Sequence, residues 1–302
     1  MTNRKPKIKW KRELSLVVML IPALVLVIIY RYGSMLGVVM AFQKLSPAKG
    51  FFRSPWIGLN NFRNLFTMPN IWQIIYNTVF ISFFKMTLGI IVPVVFALLL
   101  NEVASLRLRR TFQTLVYLPH FLSWVILAGI FADLLSKDGI INLTLTSMGL
   151  QSVGFLSDQK VFPWTMIISD VWKGFGFGSI IYLAALTGID QNLYEAAAID
   201  GANRWKQTLH VTLPGITSTV VLMTVLSLAN ILNGGFDQIY NLYRPVVYET
   251  GDILDTFVYR LGIDNAQFSL STAAGLFKSA ISCILIVISY RLADKFAGYQ
   301  IF

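Results

Sequence analysis

Charge, cysteine and histidine are all scarce in this sequence, and each scarcity excludes something. Charged residues make up 13% of the 302 residues, against about 25% in a typical globular domain, while 55% are hydrophobic and the mean hydropathy is +0.63. The single cysteine, Cys283, excludes an internal disulfide. The two histidines, His120 and His210, are isolated, so we predict no metal site. This composition is typical of a protein whose solvent is in part lipid.

The sequence also lacks the residue patterns of common enzyme classes. No G-x-x-x-x-G-K-[ST] loop is present, so the chain has no such device for holding nucleotide phosphates. No serine or cysteine stands beside a histidine, and Asp133 and Asp170 are separated by a loop and an apolar run. We therefore predict no catalytic residue and a protein that is not itself an enzyme.

Basic residues outnumber acidic ones, 25 to 15, which gives a net charge of +10. They lie mainly between apolar runs, and no basic stretch is interleaved with aromatic residues. Orientation in a membrane explains this charge better than binding to nucleic acid, which we do not expect as a partner.

Six apolar runs are long enough to cross about 30 Å of hydrocarbon as helices. They predict an all-α integral membrane protein with six transmembrane helices. A basic segment, 1–13, precedes a single membrane domain, 14–302. The runs are 14–30, with an extension to Phe42 left open, 74–100, 111–135, 162–186, 216–232 and 270–292.

The distribution of Lys and Arg predicts the orientation. With both termini in the cytoplasm, the inside segments 1–13, 101–110, 189–215 and 291–302 carry six, three, two and two basic residues. The outside segments 43–70, 137–160 and 234–268 carry four, two and two. The excess inside, dominated by the N-terminal cluster, predicts a multi-pass protein of a cytoplasmic membrane with both termini inside.

One long polar stretch, "EAAAIDGANRWKQTLHVTLPG" from Glu195 to Gly215, interrupts the apolar second half. Asn192 followed by Glu195 is typical of a helix start, and the alanines that follow are strong helix formers. Gly201 permits a bend before a second short helix, and Pro214 is expected to end that helix and open the fifth span. Physical chemistry alone leaves two interpretations open: a flat helical surface for another protein's cleft, or an ordinary connector.

The same stretch resembles the EAA motif of permease subunits in binding-protein-dependent ABC importers. The matching residues are Glu195, Ala196, Ala197, Gly201, Val211, Leu213 and Pro214, and Asp200 and Ala202 fit the form common in sugar importers. Ser218 stands where a second proline is often found. "NILNGGFDQIYNLYRPVVYETGDILDTFVYRLGI" and "STAAGLFKSAISCILIVISYRLADK" are similar to the LplB-type permeases of oligosaccharide and polysaccharide uptake.

That resemblance implies a type I ABC importer permease fold with a coupling helix in the loop 189–215, docked on a separate ATPase. Expected partners are two ATP-binding subunits that hold ATP and Mg, a second homologous permease, an extracytoplasmic solute-binding protein and lipid. The chain itself is expected to hold no cofactor. The implied function is import of a carbohydrate, an oligosaccharide, by alternating access; another small polar solute and a secondary transporter remain alternatives.

Polar residues in the fourth and fifth spans are candidates for the substrate pathway, because charges in a bilayer usually face a water-filled cavity or each other. The candidates are Asp170, Trp172, Lys173, Gly174, Phe177, Ser227 and Asn230. The alternative is structural: an Asp170–Lys173 pair, with glycines that permit close helix packing. Lys85 and Lys278 are left open between cavity and subunit interface.

Overall fold

The computed structural model describes residues 10–46 and 48–297, and these residues are almost entirely helical. The prediction of an all-α fold is confirmed, with a lone antiparallel bridge between Gln43 and Trp56. The α-helices are α1 (Trp10–Val27), α2 (Gly33–Met35), α3 (Gly50–Arg53), α4 (Asn60–Thr67), α5 (Ile71–Asn101), α6 (Leu106–Tyr117), α7 (Trp124–Leu134), α8 (Ile140–Ser147), α9 (Phe162–Thr187), α10 (Gln191–Ile199), α11 (Arg204–Gln207), α12 (Leu213–Leu228), α13 (Phe236–Leu242), α14 (Tyr248–Gly251), α15 (Leu254–Tyr259) and α16 (Phe268–Ala297).

Shorter turns of other types join these helices. Wider π turns follow α1, α11 and α15, and 3-10 turns precede α3, α7 and α14. The π turns are Ile28–Tyr32, Thr208–Thr212 and Arg260–Asp264; the 3-10 turns are Leu36–Phe42, Leu118–Phe121 and Pro245–Val247.

Four helical stretches in the described residues are long and apolar enough to cross a membrane. They are Val17–Phe42, Ile71–Asn101, Arg204–Leu228 and Phe268–Arg291, and they coincide with the first, second, fifth and sixth predicted spans. Helix α9 has 26 residues but is not apolar enough to join them. The count of six spans therefore stays a prediction, and residues 1–9 of the basic segment lie outside the described residues.

The third predicted span, 111–135, is not one straight helix. Leu106–Phe121 and Trp124–Leu134 meet at an angle of 103°, which gives a fifth span only if the bent pair is counted as one. Pro119 lies in the 3-10 turn at the end of the first helix, and Ser123 accepts a hydrogen bond from the Ile126 amide at 3.3 Å to cap the second. A proline and an N-cap residue inside an apolar run were the signals for this break.

Helices α5 and α9 form the centre of the fold. A Cβ at Gly178 of α9 would lie 3.3 Å from Pro93 of α5, so the absence of a side chain allows the two helices to pack closely. On another side of α9, Gly176 lies against the Val116 backbone of α6, where any side chain would clash. Phe162 and Met166 are fully buried where α5 and α9 meet the chain that follows α12.

That following chain, residues 229–265, was predicted mostly as an outside loop, and the structure shows that much of it is helical and packed. We call it the re-entrant segment, because its helices α13, α14 and α15 turn back and pack on α5 and α9. Gln238 is fully buried and its amide donates to the Met166 carbonyl and to Ser169 Oγ of α9, both at 2.8 Å. Apolar residues at helical spacing within an amide- and aromatic-rich stretch are consistent with this burial.

Candidate coupling surface and transport cavity

Helix α10 begins two residues earlier than the sequence suggested. Asp190 is the N-cap residue, in an extended conformation, and its carboxylate accepts a hydrogen bond from the Asn192 amide at 3.0 Å. The predicted cap at Asn192, with Glu195 reaching back to it, is wrong because Asn192 is already helical. Glu195 instead projects from the exposed side of α10.

The bend at Gly201 is confirmed. Gly201 has φ +77°, a left-handed conformation that costs a residue with a side chain about 1–2 kcal/mol. The Ala202 amide donates to the Ala197 carbonyl at 2.9 Å and the Gly201 amide to the Ala198 carbonyl at 3.1 Å, which is the Schellman pattern of a helix end. Asn203 then caps the next helix by accepting from the Lys206 amide at 2.9 Å.

The expectation that Pro214 ends the second helix is wrong. Arg204–Leu228 runs as one continuous helix of 25 residues. A π turn, Thr208–Thr212, precedes the proline, and the Leu213 amide bonds back to the Thr208 carbonyl across it. This wider turn carries the helix past a residue that has no amide hydrogen.

The loop exposes an apolar surface, which we call the coupling surface: Leu193, Ile199 and Trp205, with side chains 53%, 86% and 71% exposed. None of these three residues was predicted for coupling. Of the residues that were, Glu195, Ala196, Asp200, Gly201 and Pro214 are exposed, and Ala197, Ala202 and Leu213 are half-buried.

The opposite side of α10 is held against the helix that follows. The Tyr194 hydroxyl and Thr212 Oγ1 are hydrogen-bonded at 3.0 Å. Ile189 packs closely against Gly215: a Cβ added to Gly215 would come within 2.8 Å of Ile189 Cδ1. Glu195 lines a 660 Å³ concavity beside α10, together with Arg109. The loop is therefore fixed to Arg204–Leu228 and presents its apolar residues outward.

A cavity of about 410 Å³ lies between α5, α9 and α12, within the range of small-molecule sites. We call it the polar cavity for the polar side chains that stand among its apolar lining residues. Three of the predicted pathway residues, Asp170, Ser227 and Asn230, line it together. Lys85 and Asn233 complete its polar wall. The spans on either side of the coupling loop thus do meet at a shared cavity.

Lys85 is the most buried charged group at this cavity, with its side chain 7% exposed. Its ammonium donates to the Gly234 carbonyl at 2.8 Å and to Gln238 Oε1, and lies 3.8 Å from Asp170 Oδ1. Lys85 stands fourteen residues into α5, about 21 Å along its axis, so the re-entrant segment reaches deep between the helices. The ion partner of Asp170 is Lys85 and not Lys173. The structural alternative of an Asp170–Lys173 pair is therefore wrong.

A second polar chain joins the cavity to α16. The Lys278 ammonium contacts Asp255 Oδ1 and donates to Asn233 Oδ1 at 3.1 Å. The Asn233 amide in turn donates to Asn230 Oδ1 at 3.3 Å. Sequence reasoning singled out Asn230 and left Lys278 open, but it missed Asp255, because the link needs the fold of the re-entrant segment.

The remaining predicted pathway residues lie apart from the polar cavity. Trp172 lines a separate, almost wholly apolar cavity of about 430 Å³ between α7 and α9. Lys173 Nζ lies 5.1 Å from the Trp124 ring centroid, and nothing stands within 4 Å of a Cβ position at Gly174. Their roles in transport stay predictions.

Phe177, the last of these residues, stacks on His120. The two ring centroids are 4.1 Å apart and the rings are nearly parallel, at 1°. This contact joins the turn after α6 to α9, and the role of Phe177 in transport also stays a prediction.

Arg260 and Asp252 form a further ion pair, outside the spanning helices. The guanidinium contacts both carboxylate oxygens of Asp252, which is 2% exposed, and lies 4.6 Å from the Tyr248 ring centroid. Burial opposes the charge of Arg260, but the hydrogen bonds and charge of Asp252 outweigh it and raise the pKa of the guanidinium. Burial raises the pKa of the neighbouring Tyr243, and Tyr248 adds to the shift.

Long apolar helices, a cavity with polar side chains between them and an exposed loop are typical of a helical membrane transport component. The family described as the binding-protein-dependent transport system inner membrane component matches residues 85–298, and the chain belongs to that family. The protein is therefore a membrane-embedded permease subunit.

Two curated relatives from Bacillus subtilis (strain 168) align along nearly the whole chain. Protein LplB is 39% identical over 95% of this chain and 90% of its own length. The polygalacturonan/rhamnogalacturonan transport system permease protein YteP is 38% identical over 98% of this chain and 92% of its own.

A solved structure has the same fold. A chain of a bacterial ABC transporter involved in the import of the acidic polysaccharide alginate superposes with a TM-score of 0.87. It is 38% identical and covers 95% of this chain and 97% of its own. The alginate transporter has also been crystallised with an alginate pentasaccharide-bound periplasmic protein, where the matching chain gives the same TM-score at 37% identity, over 96% of this chain and 99% of its own.

Proposed function

We propose that this chain is a permease subunit of an ATP-driven importer for carbohydrate, an oligosaccharide, that works by alternating access. Two observations support the substrate class: the saccharide transport named for YteP and for the alginate transporter, and a cavity lined with an amide, a hydroxyl and a carboxylate. Such groups suit the hydroxyls of a sugar.

The proposed assembly contains a second, homologous permease, two ATP-binding subunits that hold ATP and Mg, and an extracytoplasmic solute-binding protein. The alginate transporter, solved with its periplasmic protein, supports the last of these. Both termini and the coupling loop are assigned to the cytoplasm of a bacterium, which puts α10 on the side where ATP is available. Lipid surrounds the exposed apolar faces.

The observation that carries this proposal is the continuous helix Arg204–Leu228. It starts beside the coupling surface and carries Ser227, on the cavity wall, about 35 Å further along at 1.5 Å per residue. Since α10 is tied to this helix through Tyr194 and Thr212, a displacement at α10 is transmitted directly to the cavity. Closure of the ATPase dimer would then favour one arrangement of the cavity through differential contacts, and hydrolysis would restore the other.

The proposal is tested by uptake into proteoliposomes that contain the whole complex, with its binding protein outside and ATP inside. The probes are labelled oligomers of galacturonate, of alginate and of glucose, with glycerol 3-phosphate and glutamine as competing solute classes. ATP-dependent accumulation of at least one saccharide supports the proposal. Accumulation of a non-saccharide alone would assign another small polar solute, and accumulation without ATP would indicate a secondary transporter.

A further inference from the structure

A group of three aromatic rings lies on α13 and α15, with one ring exposed and two half-buried. We call it the aromatic platform: Phe236 and Tyr240 of α13 and Tyr259 of α15. Phe236 and Tyr240 stack with ring centroids 5.1 Å apart, at 19°, and Tyr259 lies 4.7 Å from Tyr240 and 5.3 Å from Phe236. The Tyr240 side chain is 36% exposed, so the rings are not a sealed core.

Both helices of the platform are fixed to the cavity wall. Phe236 directly follows Gly235, which lines the cavity and has the left-handed φ of +87° that turns the chain into α13. Tyr259 stands one helical turn beyond Asp255, whose carboxylate contacts Lys278 in the chain of polar contacts that reaches the cavity. The platform is therefore joined through its own helices to residues at the cavity.

The exposed face of α13 carries polar groups as well as rings. Asp237 and Asn241 are exposed beside Phe236 and Tyr240, while Gln238, Ile239 and Leu242 are buried. An exposed carboxylate is costly against lipid, so this face is expected to meet water. Planar rings flanked by a carboxylate and an amide match a pyranose, which has an apolar C–H face and a rim of hydroxyls.

We propose that the aromatic platform is a second saccharide subsite, which holds the outer sugar units while an inner unit occupies the polar cavity. This inference rests on the proposed function. It adds the place at which a saccharide too long for the cavity would be held. It implies that the platform contributes to the import of long oligosaccharides and little to short ones. A docking face for another subunit is the competing explanation.

The test measures the concentration dependence of uptake for a pentasaccharide and a trisaccharide of the probe that the wild-type complex imports. Tyr240→Ala should raise the KM for the pentasaccharide by about two- to tenfold, the size of a lost aromatic contact, and leave the trisaccharide nearly unchanged. Tyr240→Phe keeps the ring and should behave as wild type. Phe52→Ala removes an aromatic side chain that is 92% exposed elsewhere and serves as the matched control.

The outcomes separate the two proposals. A wild-type complex that imports neither saccharide would overturn both. Normal import by wild type with no change in Tyr240→Ala, or with an equal loss for both lengths, would overturn the platform alone. An equal loss together with a smaller yield of assembled complex would identify the platform as a subunit contact. Tyr259→Ala provides a second variant on a different helix.

Discussion

Lys85 is the residue whose removal should affect the re-entrant segment most. In Lys85→Met the side chain keeps about the same length and loses its ammonium group. The Gly234 carbonyl and Gln238 Oε1 are both buried, and each would lose a donor at about 1–3 kcal/mol, which gives about 2–6 kcal/mol for the two. Asp170 is 36% exposed in its side chain, so the loss of its partner adds less than about 1 kcal/mol.

Part of this cost is offset, because a buried ammonium no longer has to be desolvated. A net local loss of about 2 kcal/mol would open the segment about thirtyfold more often. The assay is amide hydrogen exchange of the complex in nanodiscs. The amides to follow are those of Ile239, which donates to the Gly235 carbonyl, and Tyr243, which donates to the Ile239 carbonyl. Their exchange should accelerate in Lys85→Met.

Lys173→Met is the matched control. It also replaces a lysine by methionine, but on α9, three residues after Asp170. There the Lys173 ammonium makes a cation–π contact with Trp124, worth about 0.5–1 kcal/mol. This variant should leave the exchange of the re-entrant segment unchanged. If Lys85→Met also left it unchanged, the buried lysine would not be what holds the segment, and this reasoning would be refuted.

Two further predictions concern single contacts. Asn230→Leu removes a polar group from the cavity and should slow saccharide uptake while the binding protein still stimulates ATP hydrolysis; equal loss of both activities would count against a cavity role. Arg260→Lys loses the two-pronged contact with the buried Asp252 and should cost about 1.5–3 kcal/mol, seen as a lower Tm of the purified complex, whereas Arg244→Lys, exposed on the same segment, should not change it. An unchanged Tm in Arg260→Lys would show that the pair adds no stability.

The features that depend on local backbone chemistry were predictable from the sequence. Gly201 marked the bend because a left-handed residue that ends a helix is commonly glycine. The apolar runs located the straight helices because their length is set by the thickness of the bilayer. The grouping of Asp170 with Asn230 followed from placing polar residues of two spans against a shared interior.

The features that depend on tertiary context were not predictable in the same way. Pro214 looked like a helix end, but the π turn before it keeps the helix continuous. The segment 229–265 was predicted mostly as an outside loop from its place between two spans, and its aromatic and amide residues did not indicate how it packs. Its burial depends on partners distant in the chain, such as Lys85 and Ser169, which no local pattern reveals.

The central claim is that the loop around Gly201 links the cavity to ATP hydrolysis, and a pair of glycine variants tests it most directly. Gly201 and Gly149 have φ of +77° and +80°, and neither has an atom within 4 Å of its Cβ position. Aspartate at either site therefore meets the same backbone strain, and of the two only Gly201 lies in the loop that carries the coupling surface.

The measurement is ATPase activity of the reconstituted complex with and without loaded binding protein. We predict that the stimulation seen in wild type persists in Gly149→Asp and is lost in Gly201→Asp. Stimulation that persists in Gly201→Asp would show that the loop is only a connector and would contradict the account.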